Sequence, residues 1–127
     1  MSIFLRVAPY KDDELNLPVG NIEDAIPFYT GIMGFQLESR SSEPVVRATL
    51  ARDKVRIGLA ENGGDPTQEG CFFEVDDVEA AFAELNANGL PGEAKYRVDR
   101  HGETSYRVFF VIAPDGLCYC LGERVVE

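Results

Sequence analysis

The side chains in this sequence that are equipped for chemistry are few. They are one histidine, His101; three cysteines, Cys71, Cys118 and Cys120; and charged residues at or inside strand-like runs, notably Glu14 at the start of one and Glu74, Arg47 and Arg56 within others. A carboxylate held among apolar neighbours can serve as a general base, because burial raises its pKa toward neutrality. Cys118 and Cys120 are two apart on a strand-like segment and share a face. With Glu14 they offer one weak metal set, and as a pair they offer a redox couple. Neighbouring same-face strand residues fit disulfide geometry badly, and free cysteine is most often a small buried hydrophobe, so packing is the favoured role. His101 lies in the polar stretch Asp99 to Thr104 and reads as a solvated loop residue. One histidine cannot complete a Ser-His-Asp set with alternatives to spare, and no glycine-rich phosphate loop or nucleophile elbow is present.

The elements that must position these groups repeat. LNLPV at 15–19 alternates as an edge strand, Asn21 is placed to cap a helix carrying Ile22, Ile26, Tyr29 and Met33, and Gly34 ends it. Pro27 falls inside that helix and predicts a kink or tight turn. Three strand-like runs follow near 35–39, 45–51 and 54–60, then a loop over 61–69. The pattern then restarts. Cys71, Phe73 and Val75 alternate as a strand, Asp77 takes the capping place, and Val78, Ala81, Phe82 and Leu85 form a helical stripe closed by Asn88 and Gly89. Strands near 93–98, 106–112 and 117–121 complete it, the last two joined by the turn Ala113 to Gly116. Val19, Asn21, Ile22 and Glu23 precede Val75, Asp77, Val78 and Glu79 by 56 positions. A fixed offset marks a repeated unit, βαβββ twice.

The expected fold is therefore α+β: two tandem βαβββ units forming a curved mixed sheet around a central cup, with helices on the outer face. One domain spans 1–127, with repeat units at about 12–60 and 70–123. Strand parity sends Glu14, Asn16, Arg47, Thr49, Arg56, Phe72 and Glu74 to the cup. They read either as a polar ligand pocket or as Glu–Arg bridges on a wet sheet face. The run Tyr106 to Ile112 is apolar at both parities, which fits a doubly buried strand or one lining a pocket or a dimer interface.

Composition narrows the partners. Acidic residues outnumber basic ones 22 to 12, giving a net charge of -10, a field that repels nucleic acid and anionic membrane surfaces. It draws in cations or serves solubility alone. Neither a signal-peptide core nor a spanning helix is found, and three cysteines without a framework pattern suit a reducing compartment, so the expected location is cytoplasmic.

Three segments carry a family likeness: LPVGNIEDAIPFYTGIMGF at 17–35, FFEVDDVEAAFAELNANG at 72–89 and APDGLCYCL at 113–121. Over roughly residues 14–123 the chain resembles the vicinal oxygen chelate superfamily, which includes glyoxalase I, extradiol dioxygenases and bleomycin-resistance proteins. Its enzymes hold a divalent metal with His and Glu. The resemblance projects the ligand places onto or next to Glu14, Gly58, Gly70 and Cys120, two of which have no side chain. The pattern is most similar to the bleomycin-resistance proteins, which sequester a drug, through Asn16 to Pro18, Phe28 with Tyr29, and the missing ligands. That likeness implies a metal-independent homodimer without cofactor, binding a cationic or aromatic small molecule in the cup through Glu14, Asn16, Arg47, Arg56, Phe72, Glu74 and Tyr106, with antibiotic resistance as the associated role. The alternative is a lyase- or isomerase-like enzyme, using Glu74 as a raised-pKa carboxylate or the Glu14, Cys118, Cys120 set. A ligand-free interaction module is a third reading.

Overall fold

The computed structural model describes residues 2–11 and 13–125; the outer limits expected for the domain, residues 1 and 127, and for the first unit, about residue 12, lie outside them. The chain begins with a strand that the sequence reading did not assign, β1 (Phe4–Pro9). The first repeat unit follows as β2 (Leu17–Pro18), α1 (Ile22–Pro27), β3 (Gln36–Ser41), β4 (Arg47–Arg52) and β5 (Val55–Ala60). The second is β6 (Gly70–Val75), α2 (Val78–Ala87), β7 (Arg97–His101), β8 (Thr104–Ile112) and β9 (Cys118–Arg124). The two units have one topology. The first forms a four-stranded sheet in the order β2-β5-β4-β3, and the second a sheet ordered β6-β9-β8-β7, to which β1 adds at the β6 edge. In each the first strand lies parallel to the last and the other pairs are antiparallel.

Local sequence explains the helices. Asn21 Oδ1 accepts the Asp24 N–H at 3.0 Å, and Asp77 Oδ1 accepts the Ala80 N–H at 3.0 Å, so each helix begins on a side chain that satisfies a free backbone donor. Pro27 ends the regular part of α1, and the chain continues as a wider π turn over Phe28–Ile32, in which the Met33 N–H reaches back to the Phe28 carbonyl at 3.1 Å. Gly34 then turns out at φ 76.

Two local expectations shift. The strand predicted over 15–19 shrinks to Leu17–Pro18, because Asp13 folds the preceding residues into a turn: its carbonyl accepts the Asn16 N–H at 3.1 Å and its carboxylate the Leu15 N–H at 2.9 Å. Leu15 is consequently exposed, not helix-facing. The strand expected near 93–98 forms four residues later, as β7, and its last residue is His101.

Each helix covers one face of its sheet, and the two covered faces meet in a single core. Tyr29, in the π turn that follows α1, reaches across to β9 of the other unit, where its hydroxyl and that of Tyr119 lie 2.6 Å apart, both buried. Phe35 of the first unit packs on Phe4 and Phe73 with ring centroids 5.8 Å away from each. Tyr119 stacks on Phe73 at 5.4 Å. The interior also encloses Ile22, Leu50, Ile57, Val78, Leu85 and Leu121. The expected stripe of α2 is right except at its edge: Phe82 is only partly buried, against Tyr96 and Phe109.

Arg52 ties the units and β1 together. Its guanidinium donates to Glu84 of α2 at 2.7 Å, to the Met33 carbonyl at 2.6 Å and to the Ser2 carbonyl at 3.0 Å, and it lies 4.2 Å over the Phe4 ring. A buried cation is tolerated when its donors are this fully used.

Two outcomes follow for stability. Replacing Tyr29 or Tyr119 by Phe removes one hydroxyl and leaves the other buried and unpaired, costing about 1–3 kcal/mol in urea denaturation. The double Phe variant should cost less than the two singles together, and simple additivity would show that the hydroxyls are not coupled. Leu85→Ala opens a cavity at the shared core and should cost about 3 kcal/mol or more in the same assay; a loss below about 1 kcal/mol would contradict this packing.

Candidate functional site

With the helix-covered faces turned inward, the helix-free face of each sheet lies on the outside of the core. On the five-stranded sheet, alternation and register assign that face unambiguously. Arg6 pairs opposite Glu74, Ala8 opposite Phe72, Phe72 opposite Cys120, Val108 opposite Gly122, and Tyr106 opposite both Arg124 and Asp99. Phe72, Tyr106, Val108 and Cys120 form a small hydrophobic cluster separate from the main core.

The centre of that face is an aromatic and charged group. The Phe72 ring lies 4.9 Å from Tyr106 and 5.1 Å from His101, and His101 lies 5.5 Å from Tyr106. Gly122 makes room for it: a Cβ there would come within 2.8 Å of both the Phe72 ring and the Val108 side chain. Arg6 lies 5.3 Å over the Phe72 ring. Its Nε donates to Glu74 Oε1 at 2.8 Å and its NH2 to the Tyr106 hydroxyl at 3.0 Å, which in turn donates to Glu74 Oε1 at 3.3 Å. Those hydrogen bonds, Tyr106 first and then Glu74, raise the pKa of the Arg6 guanidinium further. Arg124 NH2 stands 3.7 Å from the same carboxylate oxygen. All three contacts to the Glu74 carboxylate, from Arg6, Tyr106 and Arg124, use Oε1.

Of the residues expected in the cup, the structure brings together Phe72, Glu74 and Tyr106. It does not bring the others to them. Arg47 and Arg56 have the helix-free parity that alternation assigns, but on the four-stranded sheet. Arg56 holds Glu38 through two hydrogen bonds of 2.6 and 3.1 Å, and Arg47 Nε is buried with no hydrogen-bond partner. Glu14 and Asn16 lie in the turn before β2, where the Glu14 carbonyl accepts from Gly58 and Asn16 accepts from Asn62. The residues missed by sequence reasoning are Arg6, His101 and Arg124. His101 is a strand end packed on Phe72, not a detached loop residue. Its signal was the Asp99–His101 alternation, hidden because the strand was placed four residues early.

The places where the resemblance puts metal ligands do not fit a metal. A Cβ on Gly58 would stand 2.3 Å from the Leu15 carbonyl oxygen, and one on Gly70 would stand 1.7 Å from that of Cys118. Neither position has space for any side chain. Among the described residues no three His, Cys, Asp or Glu side chains gather as a metal-holding group, so Glu14 is not joined to Cys118 and Cys120. Cys118 and Cys120 do share the helix-free face, whereas Cys71 is in the core. Burial pushes the Cys120 thiol up to about 12 and the Cys71 thiol likewise to about 12, which keeps both protonated at neutral pH and suits packing over metal or redox work.

Two clefts lie away from this face, and each is lined by groups already committed within the protein or by acids. A cleft of about 440 Å³ beside Arg52, Asp53 and Glu84 is lined by charges already committed to one another. One of about 380 Å³ beside Asn21, Asp24, Tyr29 and Asp115 presents acids and a tyrosine whose hydroxyl is spent on Tyr119.

Similarity to known proteins agrees with the architecture. No curated protein sequence matches the chain. Among solved structures, a protein from the mobile metagenome of V. Pseudocholerae superposes with a TM-score of 0.70 at 20% identity, covering 89% of this chain and 93% of that one. A bleomycin resistance determinant encoded on the transposon Tn5 superposes with a TM-score of 0.66 at 18% identity, over 91% and 99% of the two chains. An antibiotic binding protein from a Streptomyces species does so with a TM-score of 0.59 at 20% identity, over 91% and 97%. At these identities the likeness establishes the fold. Residues 12–118 match the family model described as Glyoxalase/Bleomycin resistance protein/Dioxygenase superfamily, and the chain belongs to that superfamily.

Proposed function

We propose that this protein is a metal-independent small-molecule binding protein of the bleomycin-resistance type, acting in the cytoplasm by sequestration. The observation that carries this reading is the Phe72, His101, Tyr106 group with Glu74 and its guanidiniums on an open sheet face. Aromatic rings with a few fixed polar groups are what a ligand site requires. An enzyme working through Glu74 as a free base is less well supported, since three neighbours already converge on one oxygen of that carboxylate.

One chain supplies this wall alone. Arg47 and Arg56 belong to the outward face of the other sheet, so a closed cup containing them and Phe72 together needs a second copy. Phe110 is 43% and Ile112 68% exposed on the same face as Phe72, an apolar margin against which a partner can close. The protein is therefore read as a homodimer with the ligand between subunits, and resistance to a bound drug is the role that this reading suggests.

Light scattering at micromolar concentration should return twice the single-chain mass, and Ile112→Lys should return the single-chain mass. A single-chain mass for the unmodified protein would contradict the dimer. In a thermal-shift screen of planar aromatic compounds, a stabilising compound should lose most of its effect in His101→Ala, while the midpoint of the free protein moves by no more than roughly 2 °C because that ring is exposed. A hit whose effect is undiminished in that variant would place the ligand elsewhere.

A further inference from the structure

Resting on the placement of the ligand at this face, we propose that the site selects an aromatic anion, with the carboxylate or equivalent group of the ligand taken by Arg124 beside Arg6. The charges of the face decide this, not those of the chain. The net charge of -10 favours cations in the surrounding field. On the helix-free face of the five-stranded sheet the balance is reversed: Arg6, Arg97 and Arg124 stand there against Glu74 and Asp99.

The two acids are already taken. Asp99 is held bidentately by Arg97, at 2.8 Å and 3.1 Å, and that guanidinium covers the Phe110 ring at 4.7 Å. Glu74 is held by Arg6 and Tyr106. Arg124 is the least committed of the three. Its one ion pair among the described residues is the 3.7 Å approach of NH2 to Glu74 Oε1, with no hydrogen bond there, and its side chain is 58% exposed. Arg6 is also half exposed, at 49%, and is held in place by its two hydrogen bonds.

A cation arriving here meets three guanidiniums and no free carboxylate pair. An anion meets the exposed Arg124 guanidinium, which among the described residues makes only the 3.7 Å ion pair to Glu74 and whose planar fork can match a carboxylate in two parallel hydrogen bonds. The exposed His101 ring, packed over Phe72, offers the adjoining surface for an aromatic body. The ligand class is thus a planar aromatic carrying one negative group.

The test compares two probes of matched shape, 2-naphthoate and 2-naphthylmethylamine, by isothermal titration of the full-length protein at neutral pH and low ionic strength. The expected result is binding of 2-naphthoate at least about tenfold tighter than the amine, weakened by added salt. Arg124→Ala should reduce 2-naphthoate affinity about tenfold or more without moving the unfolding midpoint, and Arg124→Lys should restore part of it. Tighter binding of the amine, lost in His101→Ala, would overturn the charge assignment while leaving the site in place. Undiminished 2-naphthoate binding in Arg124→Ala would overturn the role of that residue. Failure of both probes to bind would overturn this proposal and the placement of the ligand with it.

Discussion

Tyr29 and Tyr119 share a hydroxyl contact of 2.6 Å at the point where the first unit's helix meets the second unit's last strand. Burial keeps both phenols protonated by pushing their pKa values up, so each hydroxyl can both give and receive within the pair. A buried polar contact of this kind is satisfied in one arrangement of the two units and left open in others. That arrangement turns the helix-covered faces inward, and the outward faces of the sheets follow from it. The aromatic group around Phe72 is on the outside because Phe73, one residue on, is in the core.

Three glycines then shape what the outward faces can do. Gly58 and Gly70 stand against backbone carbonyls so closely that no side chain could occupy them, which closes two of the positions onto which the family resemblance projects metal ligands. Gly122 instead leaves a space that the Phe72 ring fills. The ion pairs on the helix-free face of the five-stranded sheet are arranged so that the local excess is positive on a strongly acidic protein, so the field close to this face differs in sign from the distant field of the net charge.

Much of this was legible in the residues. The 56-residue offset between Val19 and Val75 located both units, the caps Asn21 and Asp77 were read correctly, and parity assigned Arg47, Arg56, Phe72, Glu74, Cys118 and Cys120 to helix-free faces. The failures have tertiary causes. β1 carries Arg6 in an otherwise apolar run, and what fixes it as a strand lies far away: Asp53 and Asp76 accept the backbone donors of Phe4 and Ile3 at 2.9 Å and 2.7 Å, and Arg52 covers the Phe4 ring. Asp13 converts the start of the expected first strand into a turn, which moved Glu14 and Asn16 off the sheet. Which sheet faces meet cannot be read from alternation at all, because parity distinguishes two sides of one sheet and says nothing of how two sheets are stacked. For that reason the five expected site residues that do lie on strands divide between two surfaces, Arg47 and Arg56 on one sheet and Phe72, Glu74 and Tyr106 on the other.

Whether the helix-free face of the five-stranded sheet takes the ligand can be read by titrating 2-naphthoate into uniformly labelled protein and following amide resonances by two-dimensional NMR. Progressive shifts concentrated at Arg6, Phe72, His101, Tyr106 and Arg124 are the expected result. Shifts centred on Asn21, Asp24 and Asp115, with those five residues unmoved, would contradict it.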